Sequence, residues 1–380
     1  MSKPYFTIGF IGGGINSAVG AVHKIASQMD GKFRLVAGCF SKDIKVNRMT
    51  GTEWDIDPER VYANWELMIE KENNQIDAIV ILTPTPDHTY MIAKALETGL
   101  PVISEKALTK SVDDVLYLKQ IIDKKNSFLT ITYNYTGYPA VRELKERIND
   151  DQFGTIHQIM VEMPQEGFIK LGIDGNPIIP QSWRLKDYAI PTISLDLGIH
   201  VHNLLRFLIN EDVYEVIGIE NSFGFFNQIV DDVHAIAKFK NNIICNIWYS
   251  KSAIGYRNGL RLRIFGNKGS AEWYQMYPEQ LIVNDNNGNQ QIISRGNNFA
   301  SVVNQLRYNR FKAGHPAGFI EAFANLYSDI YESLCTYKQN PRQQYLNKYT
   351  FGIDDALSGL IFLESIHRSF IEKRWVKVNE

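Results

Sequence analysis

Three groups of residues in this chain have the types and spacing to do chemistry. In Asp196-Leu197-Gly198-Ile199-His200 an acid and an imidazole stand four apart, which on a helix places both on one face about one turn apart. Ile193, Leu195, Leu197, Ile199 and Val201 surround them, so the segment reads as at least partly buried. A carboxylate in apolar surroundings is costly unless paired, and a His beside it has its pKa drawn toward the range useful for proton transfer. A core His satisfied by its surroundings is the plainer alternative. No metal site is expected, because a third ligand is needed and His202, two residues on, points elsewhere on a helix.

The second group is Glu105-Lys106, an acid and a cation at the end of a β-rich run. Emerging from a strand end into a cleft, they are more than surface decoration requires. The plainer reading is an exposed ion pair worth well under ~1 kcal/mol.

The third group is Gly12-x-Gly14-x-x-Ser17, lying between a buried strand and a helix that should start near Asn16. The first glycine permits a tight turn, and the second lets backbone amides approach a pyrophosphate at the helix N-terminus. Ser17 stands where a small third residue is needed for close helix–strand packing. Three adjacent glycines could also make a merely flexible turn. Their place directly after the first strand of a βαβ unit favours a dinucleotide site at Gly12, Gly14 and Ile15. The second strand, Leu35 to Phe40, should end beside the adenosine ribose, where an NAD site usually carries Asp or Glu. Here Ser41-Lys42-Asp43 follows. A hydroxyl and a cation suit a 2′-phosphate, so Ser41 and Lys42 tilt the expectation from NAD toward NADP. The alternative is a solvated Lys42, with Asp43 taking the ribose.

The elements that must position these groups alternate through the first 136 residues. Nearly continuous apolar, β-branched runs at Phe6–Ile11, Phe33–Phe40, Asp77–Thr83, Pro101–Ser104 and Ser127–Tyr133 read as strands buried on both faces. Between them Asn16–Met29, Asn64–Asn73, Asp87–Thr98 and Val112–Lys124 read as helices, the last capped at Ser111. The β-α alternation predicts a doubly wound parallel sheet of Rossmann type. Such sheets bind ligands outside the carboxyl ends of their strands. At one of those ends, Thr83-Pro84-Thr85-Pro86-Asp87-His88, prolines force an extended loop and Asp87 can cap the next helix.

Residues 137–380 have another texture. A helix over 139–149 precedes alternating runs at Thr155–Met163, Val213–Glu220, His234–Phe239, Ile243–Ser250, Leu260–Phe265 and Gln280–Val283, several joined by tight turns. Short hairpin spacing predicts an α+β domain on an open, antiparallel sheet. Ala317–Tyr337 and Asp354–Arg368 read as helices, and the polar stretch Asn284–Asn298 as a hairpin tip or loop.

Composition narrows the partners. With 40 basic against 42 acidic side chains there is no positive field to hold a nucleic acid. No apolar run reaches the ~18–20 residues that cross a bilayer, and no signal-peptide pattern precedes the glycines, so a cytoplasmic location is expected. Cys39, Cys245 and Cys335 are distant and odd in number, which suits buried inert thiols.

Four of these motifs, Ile11-Gly12-Gly13-Gly14, Thr83-Pro84-Thr85 with His88, Glu105-Lys106 and Asp196-x-Gly198-x-His200, match in order and spacing those of one family. The chain resembles the glucose–fructose oxidoreductase / inositol dehydrogenase / MocA (Gfo/Idh/MocA) oxidoreductases over nearly its whole length. The resemblance implies a Rossmann domain, a C-terminal domain with a large, mostly antiparallel sheet that often makes a dimer or tetramer contact, and NAD(P)-dependent chemistry on sugars, inositols and related polyols. It also implies cofactor contacts at Thr83, Pro84, His88 and Glu105, with Lys106, Asp196 and His200 as the reacting set. Three departures stand out: Ala107 in place of the family's Pro, Ser17 in place of the third Gly, and no acid directly after strand two. One branch of the family also shares Asn16 to His23, Tyr133 to Gly137, Trp183-Arg184 and Gly314 to Gly318. By position Tyr135, Trp183, Arg184 and His315 could line a substrate cleft, or each could be packing.

The resulting expectation is a dehydrogenase in which His200 takes a hydroxyl proton, Lys106 stabilises charge on the oxygen, and Asp196 holds both in place. Two other classes stay open: a catalytically weak nucleotide-binding sensor of the same fold, and a glycoside-cleaving enzyme that uses the nicotinamide transiently.

Overall fold

The computed structural model describes residues 4–378. The chain begins with β1 (Phe6–Gly12), α1 (Gly20–Gln28), β2 (Phe33–Cys39), α2 (Ile44–Glu53), α3 (Trp65–Glu72), β3 (Ala78–Leu82), α4 (Thr85–Thr98), β4 (Val102–Ser104), α5 (Val112–Lys125) and β5 (Leu129–Ile131). The five strands form one parallel sheet in the order β2-β1-β3-β4-β5. Every residue of β3 is buried, as a strand covered on both faces must be. Because the strands run one way, Gly12, Phe40, Thr83, Glu105 and Thr132 all lie at the same, carboxyl-terminal edge.

Local signals set most helix ends. Ser111 accepts the Asp114 amide at 3.3 Å to open α5, and Gly99, in the left-handed region at φ 84°, closes α4. Two helices depart from the sequence reading. The helix α1 begins at Gly20 rather than near Asn16, leaving a longer loop behind the glycines. The helix α2 has no apolar stripe to announce it; only Asn47, Thr50 and Gly51 are buried, and Asp43 caps it by accepting the Lys45 and Val46 amides.

The chain continues with α6 (Pro139–Asn149), β6 (Ile156–Pro164), α7 (Ile199–Ile209), β7 (Val213–Asn221), β8 (Asp232–Phe239), β9 (Ile244–Ser250), β10 (Arg261–Gly266), β11 (Gly269–Tyr274), β12 (Leu281–Asp285), β13 (Gln290–Ile293), α8 (Phe319–Gln339), α9 (Ile353–Glu372) and β14 (Val376–Lys377). Nine strands make the second sheet, ordered β13-β12-β11-β10-β6-β9-β8-β7-β14, with β6 and β9 parallel and every other neighbour antiparallel. Its strands alternate: Val233, Ala235, Ala237 and Phe239 of β8 face the core, whereas His234 and Ile236 do not. The polar stretch after β12 is a hairpin whose returning arm is β13.

The chain divides into two compact units, one running to Gly137 and including Phe319–Leu357, the other Tyr138–Gly318 with the chain from Ser358 onward. A single cut after residue 136 therefore misses a return of the chain. The cause lies in α8, whose Phe323, Leu326, Tyr327, Ile330 and Leu334 complete the core around Phe6, Ile8, Phe33 and Leu35. The Phe33 and Tyr327 rings meet edge to face at 5.5 Å.

Candidate active site

In the first unit, the loop after β1 is built from glycines that geometry demands. Gly12 and Gly13 have φ of 80° and 74°, where side chains are strained. A Cβ on Gly13 would lie 2.6 Å from a Leu82 methyl, and one on Gly20 would lie 1.7 Å from the Gly13 carbonyl oxygen. The close approach of helix to loop, assigned from sequence to Ser17, thus falls on Gly20. Ser17 instead braces the loop, its amide donating to the Gly14 oxygen at 2.7 Å and its hydroxyl accepting the Val19 amide at 3.3 Å. The Gly14 amide donates to the Phe40 oxygen, and the Ile15 amide to Thr50 Oγ1. No side chain caps the start of α1. A turn stripped of Cβ atoms, ahead of an uncapped helix N-terminus, fits the pyrophosphate of a dinucleotide.

At the end of β2, Asn47 Oδ1 accepts the Phe40 and Ser41 amides, and the Ser41 hydroxyl accepts the Asp43 amide. The Lys42 ammonium sits 2.9 Å from Asp87 Oδ2. Asp87 therefore balances the cation on which a preference for a 2′-phosphate was expected to rest.

Two strands away, the Glu105 and Lys106 corner is internally tied. Glu105 is buried; its Oε1 accepts from Thr132 Oγ1 and lies 3.0 Å from His23 Nε2, while its Oε2 accepts the Lys106 amide at 3.2 Å. Burial pushes the Glu105 carboxyl up, but the His23 hydrogen bond, with Lys106 and Thr132, outweighs it and leaves the pKa below its ordinary value. The Lys106–Ala107 peptide is cis. His88 is fully buried, with Nε2 2.7 Å from the Thr83 oxygen and Nδ1 3.0 Å from the Ala107 oxygen. Burial lowers its pKa against the pull of those carbonyls and of Glu105. With both nitrogens committed to the backbone, His88 clamps the Thr83-Pro84 turn to the segment after Lys106. Tyr135 is buried in the turn Asn134–Gly137.

In the second unit, Asp196 lies in a π-helical turn, Ser194–Gly198, that runs into α7, which carries His200. Gly198 makes room for it: a Cβ there would come within 2.7 Å of Leu363 and 3.0 Å of the Tyr249 ring. The Tyr249 hydroxyl in turn bonds Ser194 at 2.8 Å. Asp196 Oδ2 is shared by two cations, Arg184 Nη1 and Lys251 Nζ, the latter at 2.6 Å. Arg184 also stacks on Trp183, 4.4 Å from the ring centroid, and Lys251 lies 5.3 Å from the Phe168 ring centre. Asp196, Arg184 and Trp183 are thus brought together, with His200 one helical step away and itself buried. His202 turns to Ser358 Oγ at 3.2 Å and the Phe362 ring, as expected of a residue off that face. His315 is exposed, and its carbonyl accepts from Arg295.

Lys251 was missed from sequence. The available signal was a lysine closing the otherwise apolar run Ile247-Trp248-Tyr249-Ser250, which reads equally as a strand end in solvent.

Residues 6–133 match an oxidoreductase family with an NAD-binding Rossmann fold, and residues 141–272 match the GFO/IDH/MocA C-terminal domain. An uncharacterised oxidoreductase of Bacillus subtilis is 28% identical over 379 residues, 97% of this chain and 95% of that protein. The scyllo-inositol 2-dehydrogenase (NAD+) of the same organism is 25% identical over 231 residues, 60% of this chain and 61% of that protein. Among solved structures, an inositol dehydrogenase homolog from Azotobacter vinelandii complexed with NADH and myo-inositol is similar with a TM-score of 0.88 at 25% identity, covering 98% of this chain and 97% of that one. An oxidoreductase from Sinorhizobium meliloti gives 0.84 at 29% identity over 99% and 100%.

Proposed function

The chain belongs to the Gfo/Idh/MocA oxidoreductase family, and on that premise we propose that it is an NAD(P)-dependent dehydrogenase acting on a hydroxyl or keto group of a sugar, inositol or related polyol. The observation that carries this reading is that one edge of one parallel sheet holds both the glycine cradle and Lys106. The NADH and myo-inositol in the Azotobacter vinelandii relative support the choice of cofactor and substrate class.

Gly12, Gly13, Gly14 and the amides opening α1 would hold the dinucleotide, which supplies a hydride acceptor or donor when bound. Ser41 and Lys42 would meet the adenosine ribose. Since Asp87 offsets Lys42, the initial lean toward NADP loses its electrostatic basis, and we expect the two cofactors to differ by less than about tenfold in affinity, ~1.4 kcal/mol. Lys106 donates a hydrogen bond to the reacting oxygen and stabilises charge that develops there. His200 accepts the hydroxyl proton. Asp196, its oxygen shared by Arg184 and Lys251, anchors those cations rather than taking a proton itself. Trp183, Arg184, Tyr135 and His315 remain proposed substrate contacts.

The second sheet bears on assembly. Its exposed face carries a groove of about 720 Å³ whose lining includes Met160, Ile217, Ile219, Ile236 and Trp248. Apolar side chains left on a sheet face suit a copy-to-copy contact, and we assign the oligomer interface there.

The test is absorbance at the reduced-nicotinamide band over a panel of sugars and inositols chosen by thermal shift with NAD+ and NADP+. Lys106→Met and His200→Ala should each lower kcat by ~10²-fold or more with cofactor affinity nearly unchanged. Near-normal turnover in both would refute the assignment. Product without net absorbance change would favour transient nicotinamide use, and tight cofactor binding with no product would favour a sensor.

A further inference from the structure

His23 is not used by the reaction outlined above, yet it occupies a position that an apolar residue would fill at lower cost. It lies on α1, fully buried, three residues past Gly20. Its ring packs edge-on against Phe323 of α8, centroids 4.9 Å apart, and each nitrogen meets one partner. Nε2 is 3.0 Å from Glu105 Oε1, and Nδ1 is 2.8 Å from the Tyr327 hydroxyl on α8. A buried imidazole needs both bonds to offset its desolvation.

Counting donors gives the direction of the chain. Tyr327 is buried, and burial first, then the Glu105 charge, holds its hydroxyl protonated. That hydroxyl donates to His23 Nδ1, so the ring proton sits on Nε2 and points at Glu105. Glu105 Oε1 also accepts from Thr132, and Oε2 accepts the Lys106 amide at 3.2 Å. The series Tyr327, His23, Glu105 thus ends on the backbone of Lys106. The other titratable groups whose charge reaches Glu105 or is reached by it are Lys106 itself, His88 of α4 and Tyr133 after β5.

We propose that His23, backed by Tyr327, is a positioning residue that orients the Glu105 carboxylate and through it fixes Lys106 at the end of β4. This rests on the reading of Lys106 as the group that meets the substrate oxygen. Misplacement of such a group by about 1 Å can cost ~10²-fold in rate. His23→Leu removes both bonds at similar volume. His23→Gln keeps an amide N–H where Nε2 was and loses only the link to Tyr327. Tyr327→Phe keeps the ring and removes the hydroxyl.

In His23→Leu, kcat should fall ~10-fold or more while cofactor affinity stays within about threefold. His23→Gln should recover most of kcat, with Tyr327→Phe between them. A folded His23→Leu with wild-type kcat overturns the proposal, as does a His23→Gln no better than His23→Leu. Should His23→Leu fail to fold, Tyr327→Phe carries the same readouts.

Two NMR readouts need no substrate. Long-range proton–nitrogen spectra of labelled wild-type protein should show His23 as the Nε2–H tautomer; the Nδ1–H form overturns the chain. The Lys106 amide resonance should shift in Tyr327→Phe and in His23→Leu and return in His23→Gln; an unmoved resonance overturns it. If no polyol is turned over at all, the dehydrogenase reading fails while these two measurements still decide the positioning.

Discussion

A methyl group added at position 20 tests the cofactor loop most directly. The Cβ of Gly20→Ala would lie 1.7 Å from the Gly13 oxygen, whereas ordinary contact begins at 3.4 Å, so the two backbones must part by about 1.7 Å. No side-chain rotation relieves it, because both atoms are fixed to main chain. Overpacking of this kind costs ~1–3 kcal/mol, offset in part by the ~1 kcal/mol that alanine gains over glycine inside a helix. A net loss of up to ~2 kcal/mol lowers the melting temperature by no more than roughly 4–8 °C. The effect on binding is larger, since a displacement of that size breaks amide contacts to an anionic phosphate. One charge-assisted hydrogen bond of ~1.5–3 kcal/mol corresponds to roughly 10- to 100-fold in Kd. The assay is an NADH fluorescence titration beside a thermal melt. Ser17→Ala is the control: it removes one 3.3 Å bond to the Val19 amide and should change affinity by less than about threefold. Wild-type affinity in Gly20→Ala, or a tenfold loss confined to Ser17→Ala, would refute the argument.

Three further outcomes follow from particular contacts. Burial, aided by Arg206 and opposed by Asp212, lowers the His202 pKa from 6.5 to about 4. The unfolded chain then takes up a proton before the native one, so the contribution is complete above pH 6.5 and is lost between 6.5 and 4. Denaturant unfolding should show about 2 kcal/mol less stability at pH 5 than at pH 8 from this group, a difference that His202→Met should largely abolish and whose persistence there would refute the assignment. Lys251→Met removes one of the two cations on Asp196 Oδ2 and should lower kcat/KM at least ~10-fold and stability by ~1–2 kcal/mol; unchanged values would show that this cation is idle. Ile219→Glu with Ile236→Glu puts two charges on the exposed sheet face and should shift the mass measured by light scattering to that of a single chain, whereas an unchanged oligomer would move the interface elsewhere.

What could be read from the sequence follows how local the cause was. The strands of the first sheet were legible because burial on both faces writes continuous apolar runs such as Ala78 to Leu82. Ser111 announced α5 by its own side chain. By contrast α2 writes no apolar period, since its buried residues are Asn47, Thr50 and Gly51, and β11 and the two-residue β14 exist only through their neighbours. The return of α8 to the first unit rests on Phe33 meeting Tyr327, a contact between residues hundreds of positions apart. The same limit applies to function. Gly12, Glu105-Lys106 and Asp196-x-x-x-His200 carry motifs that stand together in sequence. Lys251 and His23 matter through partners brought by other elements, and no spacing rule reaches them.

Gly198 shows how such long-range causes alter a local reading. Spacing alone put Asp196 and His200 one α-turn apart on a common face. The structure puts Asp196 in a π turn whose floor is the Tyr249 ring, tolerable only because position 198 lacks a Cβ. Tyr249 is on β9, and Lys251, whose ammonium meets Asp196, directly follows that strand's last residue. β9 and the residue that follows it therefore set both the shape of the turn and one cation on its acid. With Arg184 on the same oxygen, Asp196 serves as a fixed anchor for two cations. Arg184 and Lys251 are thereby held in register at the turn that leads into α7.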